Sequence, residues 1–190
     1  IYVNGTSLTV NSTTPNPLIY GCQLHGAAMG NFIYIYRWTQ LGGDIDGAVA
    51  GDSSGKSVSL SSDGTIVAVG ANQAGVNSGY VRVYEYTSET WTQMGEDIDG
   101  EATGDESGFS VSLSSNGTIV AIGAYLNGGN GTGSGHVRVY SYILGNWTQI
   151  GGDIDGEAAV DRSGESVSLS ADGTIVAIGA PYNDGNGSNS

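Results

Sequence analysis

Nine aspartates recur at fixed spacing and are the residues best placed for chemistry. Three G-x-D-I-D-G segments are each followed by a further aspartate, which gives Asp44, Asp46 and Asp52, then Asp97, Asp99 and Asp105, then Asp153, Asp155 and Asp161. Alternating carboxylates on one strand face, with a third after a glycine turn, could supply oxygen ligands for calcium. The spacing lacks the EF-hand register and its terminal glutamate. We therefore favour the interpretation that these aspartates cap turns by accepting hydrogen bonds from backbone N–H groups. Calcium binding remains the alternative.

Other reactive side chains are few and do not form a catalytic group. His25 and His136 occupy non-equivalent positions, and neither lies beside a serine or cysteine in a recognisable nucleophile motif. The single cysteine, Cys22, is interpreted as a small buried hydrophobe. The chain has no phosphate-binding loop, Cys/His metal cluster or dinucleotide fingerprint. We therefore predict that the protein is not an enzyme.

The recurring tryptophans Trp38, Trp91 and Trp147 could stack on sugars. Recurrence at one position of a repeat is more typical of structural packing at the rim of a fold. We favour the packing interpretation, and sugar stacking remains the alternative.

Charge excludes two classes of partner. The chain has 19 acidic and 5 basic residues and a formal net charge of −14, which repels nucleic acid and anionic lipid. No apolar run approaches the roughly 18 residues that cross a bilayer, so we expect no membrane insertion within this chain.

Asn-x-Ser/Thr sequons permit glycosylation in a secretory pathway and begin at Asn4, Asn11, Asn116, Asn130, Asn146 and Asn186.

These aspartates and tryptophans belong to an internal repeat. Near-identical copies begin at Trp38, Trp91 and Trp147, separated by 53 and 56 residues, a period that suits a four-strand propeller blade. A degenerate fourth copy is visible from Ser7, in which Cys22 takes the place of Ala71. We predict one propeller segment over residues 1–190, with repeat units at about 1–37 (degenerate), 38–90, 91–146 and 147–190 (truncated).

Each unit contains four strand patterns. S-V-S-L-S alternates with period two, T-I-V-A-[VI]-G-A is continuously apolar, V-R-V-Y follows a Gly/Asn loop, and a tryptophan strand ends the unit. Asp63-Gly64, Asn116-Gly117 and Asp172-Gly173 predict type I′ hairpin turns between the first two strands. The small residues predict that these two strands lie innermost. The fold class is therefore an all-β propeller of four-stranded antiparallel blades, with about four units in an incomplete or open ring.

The unit resembles the FG-GAP repeat of integrin-type propellers. The resemblance rests on D-x-S-G-x-S-V segments at Asp52, Asp105 and Asp161, on Gly179-Ala180-Pro181, and on the G-x-V-R-V-Y strands. Ser54, Ser107 and Ser163 replace the family phenylalanine. Calcium-binding members carry an acidic loop between the first two strands, where this chain has a short hairpin. The resemblance does not transfer calcium binding at that loop.

The resemblance implies extracellular or cell-surface recognition and further blades of the same parent protein. Our leading hypothesis is a recognition or adhesion module that presents propeller loops to a protein or glycan ligand. One alternative is a structural repeat spacer of a larger surface protein with no ligand of its own. The other alternative is a calcium-binding propeller that uses the aspartate triplets.

Overall fold

The computed structural model describes residues 2–4, 7–9, 18–21, 32–35, 39–185 and 187. The chain divides into two compact units, Ile1–Leu41 and Gly42–Ser190. Cys22, His25 and Trp38, with the sequons at Asn11 and Asn186, lie outside the described residues. The strands β1 to β4 of the first unit are Tyr2–Asn4, Ser7–Thr9, Leu18–Gly21 and Phe32–Ile35. β1 pairs with β2 and β3 pairs with β4, both antiparallel.

The second unit contains two larger sheets and one hairpin. Sheet I has the order β5-β6-β7-β8, with the short strand β9 also paired to β7. Its strands are Ser54–Leu60, Ile66–Ala71, Tyr80–Thr87, Thr90–Gln93 and Ile98–Asp99. Sheet II repeats this pattern with strands β10 to β14, which are Ser110–Leu113, Ile119–Ala124, His136–Ile143, Asn146–Gln149 and Ile154–Asp155. Sheet III is the antiparallel pair β15 and β16, Ser166–Leu169 and Val176–Gly179.

Strand pairing follows chain order because each strand is joined to the next by a short connection. In sheet II, Val111 pairs with Ile122 and Tyr142 pairs with Trp147, as Val58 pairs with Val69 and Tyr86 with Trp91 in sheet I. The first strands β5, β10 and β15 of the three sheets contact one another in sequence. The fold is all-β, with four-strand antiparallel sheets that are not closed into a ring, which confirms the predicted fold class of an open β-propeller.

The main core lies between sheets I and II. Sheet I contributes Ile66, Ala68, Val81, Val83, Met94 and Ile98, and sheet II contributes Val111, Leu113, Val120, Ile122 and Tyr140. Burial of this apolar surface stabilises the stacked pair. Position in the stack controls exposure, because Val58 and Leu60 of sheet I are 65% and 60% exposed while their counterparts Val111 and Leu113 are buried.

Serines of the inner strands join successive sheets. The Ser57 hydroxyl donates to the Gly108 carbonyl, and the Leu113 N–H donates to the Ser59 hydroxyl. One sheet further on, Ser110 donates to Gly164 and Leu169 donates to Ser112 in the same way. The small side chains of the S-V-S-L-S pattern therefore permit close approach and also supply polar contacts between sheets.

The predicted turn type is wrong. Gly64 donates to the carbonyl of Ser61, so Ser62 and Asp63 are the central residues of the turn. A type I′ turn needs positive φ at both central residues, but only Gly64 has one, at 73°. Asn116 and Asp172, like Asp63, do not have a positive φ. The hairpin is a type I turn followed by a left-handed glycine, and the Asp or Asn side chain instead accepts hydrogen bonds from residues on both sides of the turn.

One short helical turn departs from the all-strand pattern. It is α1, Ala74–Asn77, in the loop between β6 and β7. Gly75, Val76 and Asn77 all have φ between 55° and 64°, so the turn is left-handed. No helix in the described part of the chain is long and apolar enough to span a membrane.

Candidate functional site

The third aspartate of each triplet caps a turn. Asp52, Asp105 and Asp161 are all buried. Asp52 accepts hydrogen bonds from the N–H groups of Ala48 and Ser54, at 2.8 and 3.1 Å. Asp105 accepts from Ala102 N–H, and Asp161 accepts from Ala158 N–H. This geometry matches the turn-capping interpretation of these carboxylates.

Asp52 shows how such a cap stays charged inside the fold. Burial alone would raise the pKa of this carboxyl. The hydroxyl of Tyr80, 2.8 Å away, and the backbone N–H groups of Ser54, Val49 and Ala48 together outweigh burial, so the pKa of Asp52 lies below its ordinary value. The charged form is the one that the turn stabilises.

The first aspartates have other partners. Asp97 forms two hydrogen bonds of 2.8 Å with the guanidinium of Arg82 and a third with Gln93. This bidentate pairing lowers the pKa of Asp97. Asp153, its counterpart in the next copy, accepts a hydrogen bond from Gln149 at 2.7 Å.

Within residues 39–185, no aspartate triplet brings its three carboxylates together. The one group of three potential metal ligands whose atoms lie within 4.8 Å of one another in the described residues is Glu101, His136 and Asp153. Only Asp153 was singled out as a metal candidate by the sequence. Calcium binding by the triplets stays a prediction, and calorimetric titration with calcium tests it.

The hairpin between the first two strands does not supply the ligand set of a calcium site. In sheet I it carries a single carboxylate, Asp63. Its Oδ1 atom accepts hydrogen bonds from the Ser61 hydroxyl and from the N–H and hydroxyl of Thr65. A calcium ion takes six to eight oxygen ligands, and one carboxylate already engaged within its own turn does not supply them.

These turn carboxylates make acid stability a test of the fold. Hydrogen bonds from the Thr65 N–H and the Ser61 hydroxyl lower the pKa of Asp63 to about 2, and the Ser170 hydroxyl does most to lower that of Asp172 to about 2. Because the folded-state pKa is depressed below the ordinary value of 3.8, their stabilisation is present above about pH 4 and is lost as the pH falls toward 2.

The double variant D63N/D172N should keep the neutral-pH melting temperature, because Asn116 already makes the same hydrogen bonds in the middle copy. Its melting temperature should fall less between pH 4 and pH 2 than that of the wild type. Asn116→Asp is the matched control and should steepen the loss. Identical acid profiles for all three proteins would show that these carboxylates are not tied to the folded state.

A small pocket lies between the outer parts of sheets I and II. Its volume is about 180 Å³, and it is lined by Glu96, Asp97, Ile98, Asp99, Tyr140, Asn146 and Trp147. The acidic residues come from the β8–β9 segment of sheet I, and the aromatic residues come from sheet II. The first two aspartates of the middle triplet therefore face a pocket that requires both sheets.

Trp147 packs at the same junction. Its indole N–H donates to the carbonyl of Met94 in sheet I at 2.7 Å, and its ring lies 5.1 Å from that of Tyr142. Trp91 and Tyr86 make the same ring contact in sheet I. The structure therefore shows the packing role for Trp147, which also lines the pocket.

Comparison with known proteins agrees with the repeat described above. The family model of the FG-GAP repeat matches residues 97–140, from the end of sheet I to the third strand of sheet II. No curated protein matches the chain. The matched segment contains the inner-strand serines Ser110 and Ser112 of sheet II and four of the seven residues that line the pocket.

Proposed function

From the FG-GAP repeat that the chain contains, the unit of integrin-like β-propellers, we propose that the protein is a non-catalytic recognition module of an extracellular or cell-surface protein. Its binding site is the pocket between sheets I and II, and its ligand is a protein that inserts a basic side chain there. The observation that supports this proposal is the combination of acidic residues and Trp147 around one opening.

The charge of the pocket favours a cationic group. Arg82 neutralises Asp97 in a bidentate pair. Glu96 and Asp99 remain as carboxylates in the lining, and the nearby Arg138, which donates to the Asp99 carbonyl, is paired with Glu101 outside the lining. The chain as a whole carries a formal charge of −14. A Lys or Arg side chain would meet opposite charge at close range, and the long-range field would raise its association rate.

The aromatic wall favours the same ligand. A guanidinium or ammonium group attracts the face of a tryptophan, and the attraction is worth about 0.5–2 kcal/mol depending on desolvation. Trp147 is held in place by its hydrogen bond to Met94, so a ligand would meet an ordered ring. A volume of about 180 Å³ suits one side chain or one sugar ring rather than a folded segment. Glycans therefore form the second arm of the test.

Binding is tested with fluorescent peptides of one length whose central residue is Lys, Arg, Gln or Glu. Unglycosylated protein is used, because Asn146 begins a sequon in the pocket wall. We expect binding to the Lys and Arg peptides that weakens as salt rises. The variant E96Q/D99N should weaken it about tenfold or more, a change of at least 1.4 kcal/mol.

The matched control is Asp155→Asn, which removes the counterpart of Asp99 in the next copy and should leave affinity unchanged. Equal affinity for the Gln and Lys peptides would contradict a cationic ligand. A glycan-array signal that E96Q/D99N abolishes, with no peptide binding, would replace the protein ligand by a glycan.

A structural spacer is the competing function, and the exposed face of sheet I favours it. Val58 and Leu60 are exposed where the equivalent residues of sheet II are covered by sheet I. A neighbouring blade would cover them in the same way. Failure of every peptide and glycan to bind, together with intact folding, would favour the spacer.

A further inference from the structure

Sheet II carries a cluster of ligand-type side chains that is separate from the pocket. Glu101 lies in the connection from β9 to β10, His136 begins β12, and Asp153 precedes β14. One ligand atom from each lies within 4.8 Å of the others. The cluster therefore joins the connection from sheet I to the third strand and the last turn of sheet II.

His136 has a buried nitrogen without a hydrogen-bond partner. The residue is 1% exposed, and its Nδ1 atom lies 3.9 Å from Oε2 of Glu101. An unsatisfied buried polar atom is costly, so a native fold normally supplies a partner.

The equivalent place in sheet I is filled differently. Tyr80 stands in the position of His136, and its hydroxyl donates to Asp52 at 2.8 Å. Ala48 stands in the position of Glu101 and contributes no side-chain oxygen. Asp97, the counterpart of Asp153, is held by Arg82. Two residue changes in sheet II, together with different partners for its arginine, thus replace a self-satisfied arrangement by three potential ligands.

The basic residue of sheet II is turned away from Asp153. The guanidinium of Arg138 donates to the carbonyl of Asp99 at 2.8 Å and lies 3.4 Å from Oε1 of Glu101. Oε2 of Glu101 is the oxygen that faces His136. The arginine therefore orients Glu101 while leaving its second oxygen for a bound ion.

We infer that Glu101, His136 and Asp153 bind a zinc-type divalent cation at the junction of the β9–β10 connection and sheet II. One imidazole nitrogen and two carboxylates form a donor set that zinc accepts, with water in the remaining position. Ligands at about 2.0–2.2 Å from zinc lie roughly 3–4 Å apart. The 3.9 Å between His136 and Glu101 already falls in this range, and the half-exposed Glu101 side chain can adjust.

The ion would fasten the connection to sheet II and supply the partner that His136 Nδ1 lacks. Calcium is disfavoured because it takes six to eight oxygen ligands and does not favour imidazole. None of the three ligand residues lines the pocket or caps a turn, so failure of zinc binding would leave the proposed recognition function to its own peptide test.

The test is calorimetric titration of the metal-free full chain with Zn²⁺ in the presence of excess Ca²⁺. We expect one high-affinity Zn²⁺ per chain and a rise in melting temperature. His136→Tyr and Glu101→Ala install the residues that sheet I carries at these positions. Each should weaken zinc binding by about 10- to 100-fold or more, the range seen even when groups outside the ligand shell are changed.

Glu157→Ala is the matched control, because Glu157 is the counterpart of Glu101 in the next copy, and it should not change the affinity. Nitrogen-15 spectra of the unmodified chain should show the Nδ1 resonance of His136 shifting when zinc is added. This measurement needs no variant, so it still tests the site if a variant folds poorly. Zinc binding that survives His136→Tyr, or a shift confined to His25, would overturn the assignment. The assignment would also be overturned if the zinc stoichiometry of the variants changed only with their net charge and not with which residue was substituted.

Discussion

Gly123→Ala should destabilise the second unit by about 3 kcal/mol or more. Gly123 lies on β11 of sheet II, directly against Gly164, which precedes the first strand β15 of the next copy. A Cβ atom at this position would overlap the carbonyl oxygen of Gly164 and the hydroxyl of Ser110. The Gly164 carbonyl already accepts the hydrogen bond from Ser110 that joins the sheets, so the alanine must push two backbones apart. Urea denaturation followed by tryptophan fluorescence measures the loss.

Gly152→Ala is the matched control for this substitution. A Cβ atom at Gly152 would have no other atom within 4 Å, and the φ of this residue is not in the left-handed region. Its unfolding midpoint should stay near that of the wild type. Gly70→Ala should repeat the Gly123 effect, because its Cβ would overlap the carbonyl of Gly108 in sheet II. If Gly123→Ala and Gly152→Ala unfolded at the same urea concentration, close backbone stacking between sheets would be refuted.

Trp147→Ala should destabilise the stacked sheets by about 3 kcal/mol. The substitution removes a half-buried indole that packs on Tyr142 and lines the junction with sheet I. It also leaves the carbonyl of Met94 without its donor at 2.7 Å. Thermal unfolding followed by far-ultraviolet circular dichroism measures the change.

Trp147→Phe separates the contribution of ring packing from that of the indole hydrogen bond to Met94. It keeps an aromatic ring but removes the N–H donor, so the expected loss is about 1 kcal/mol. Leu144→Ala is the control, because Leu144 is 97% exposed in the adjacent turn and should have little effect. A loss from Trp147→Ala no larger than that from Leu144→Ala would mean that the indole does not hold the two sheets together.

The architecture was predictable because the strand signals repeat. Three near-identical copies carry the same alternation, the same type of turn dipeptide and the same tryptophan, so a misread strand in one copy is corrected by the others. The type of turn was not predictable from Asp63-Gly64 alone. The side chain of Asp63 satisfies the turn by hydrogen bonding to Ser61 and Thr65, which removes the need for a positive φ at the aspartate.

The site was only partly predictable, because it depends on contacts between residues distant in sequence. The capping role of Asp52 follows from local spacing. The pairing of Arg82 with Asp97 depends on the fold of β7 against the β8–β9 segment. The cluster at His136 was missed, although comparing the copies could have found it, since only the middle copy combines histidine with glutamate where sheet I has Tyr80 and Ala48.

The most direct test of the account is a nuclear magnetic resonance titration of the nitrogen-15-labelled chain with a short lysine-containing peptide. The proposed recognition site predicts that the largest shifts occur at the indole N–H of Trp147 and at the backbone amides of Glu96 and Asp99. The indole of Trp91 and the amide of Asp155 should shift little. Saturable shifts centred elsewhere, or equal shifts at Trp91 and Trp147, would contradict a binding pocket between sheets I and II.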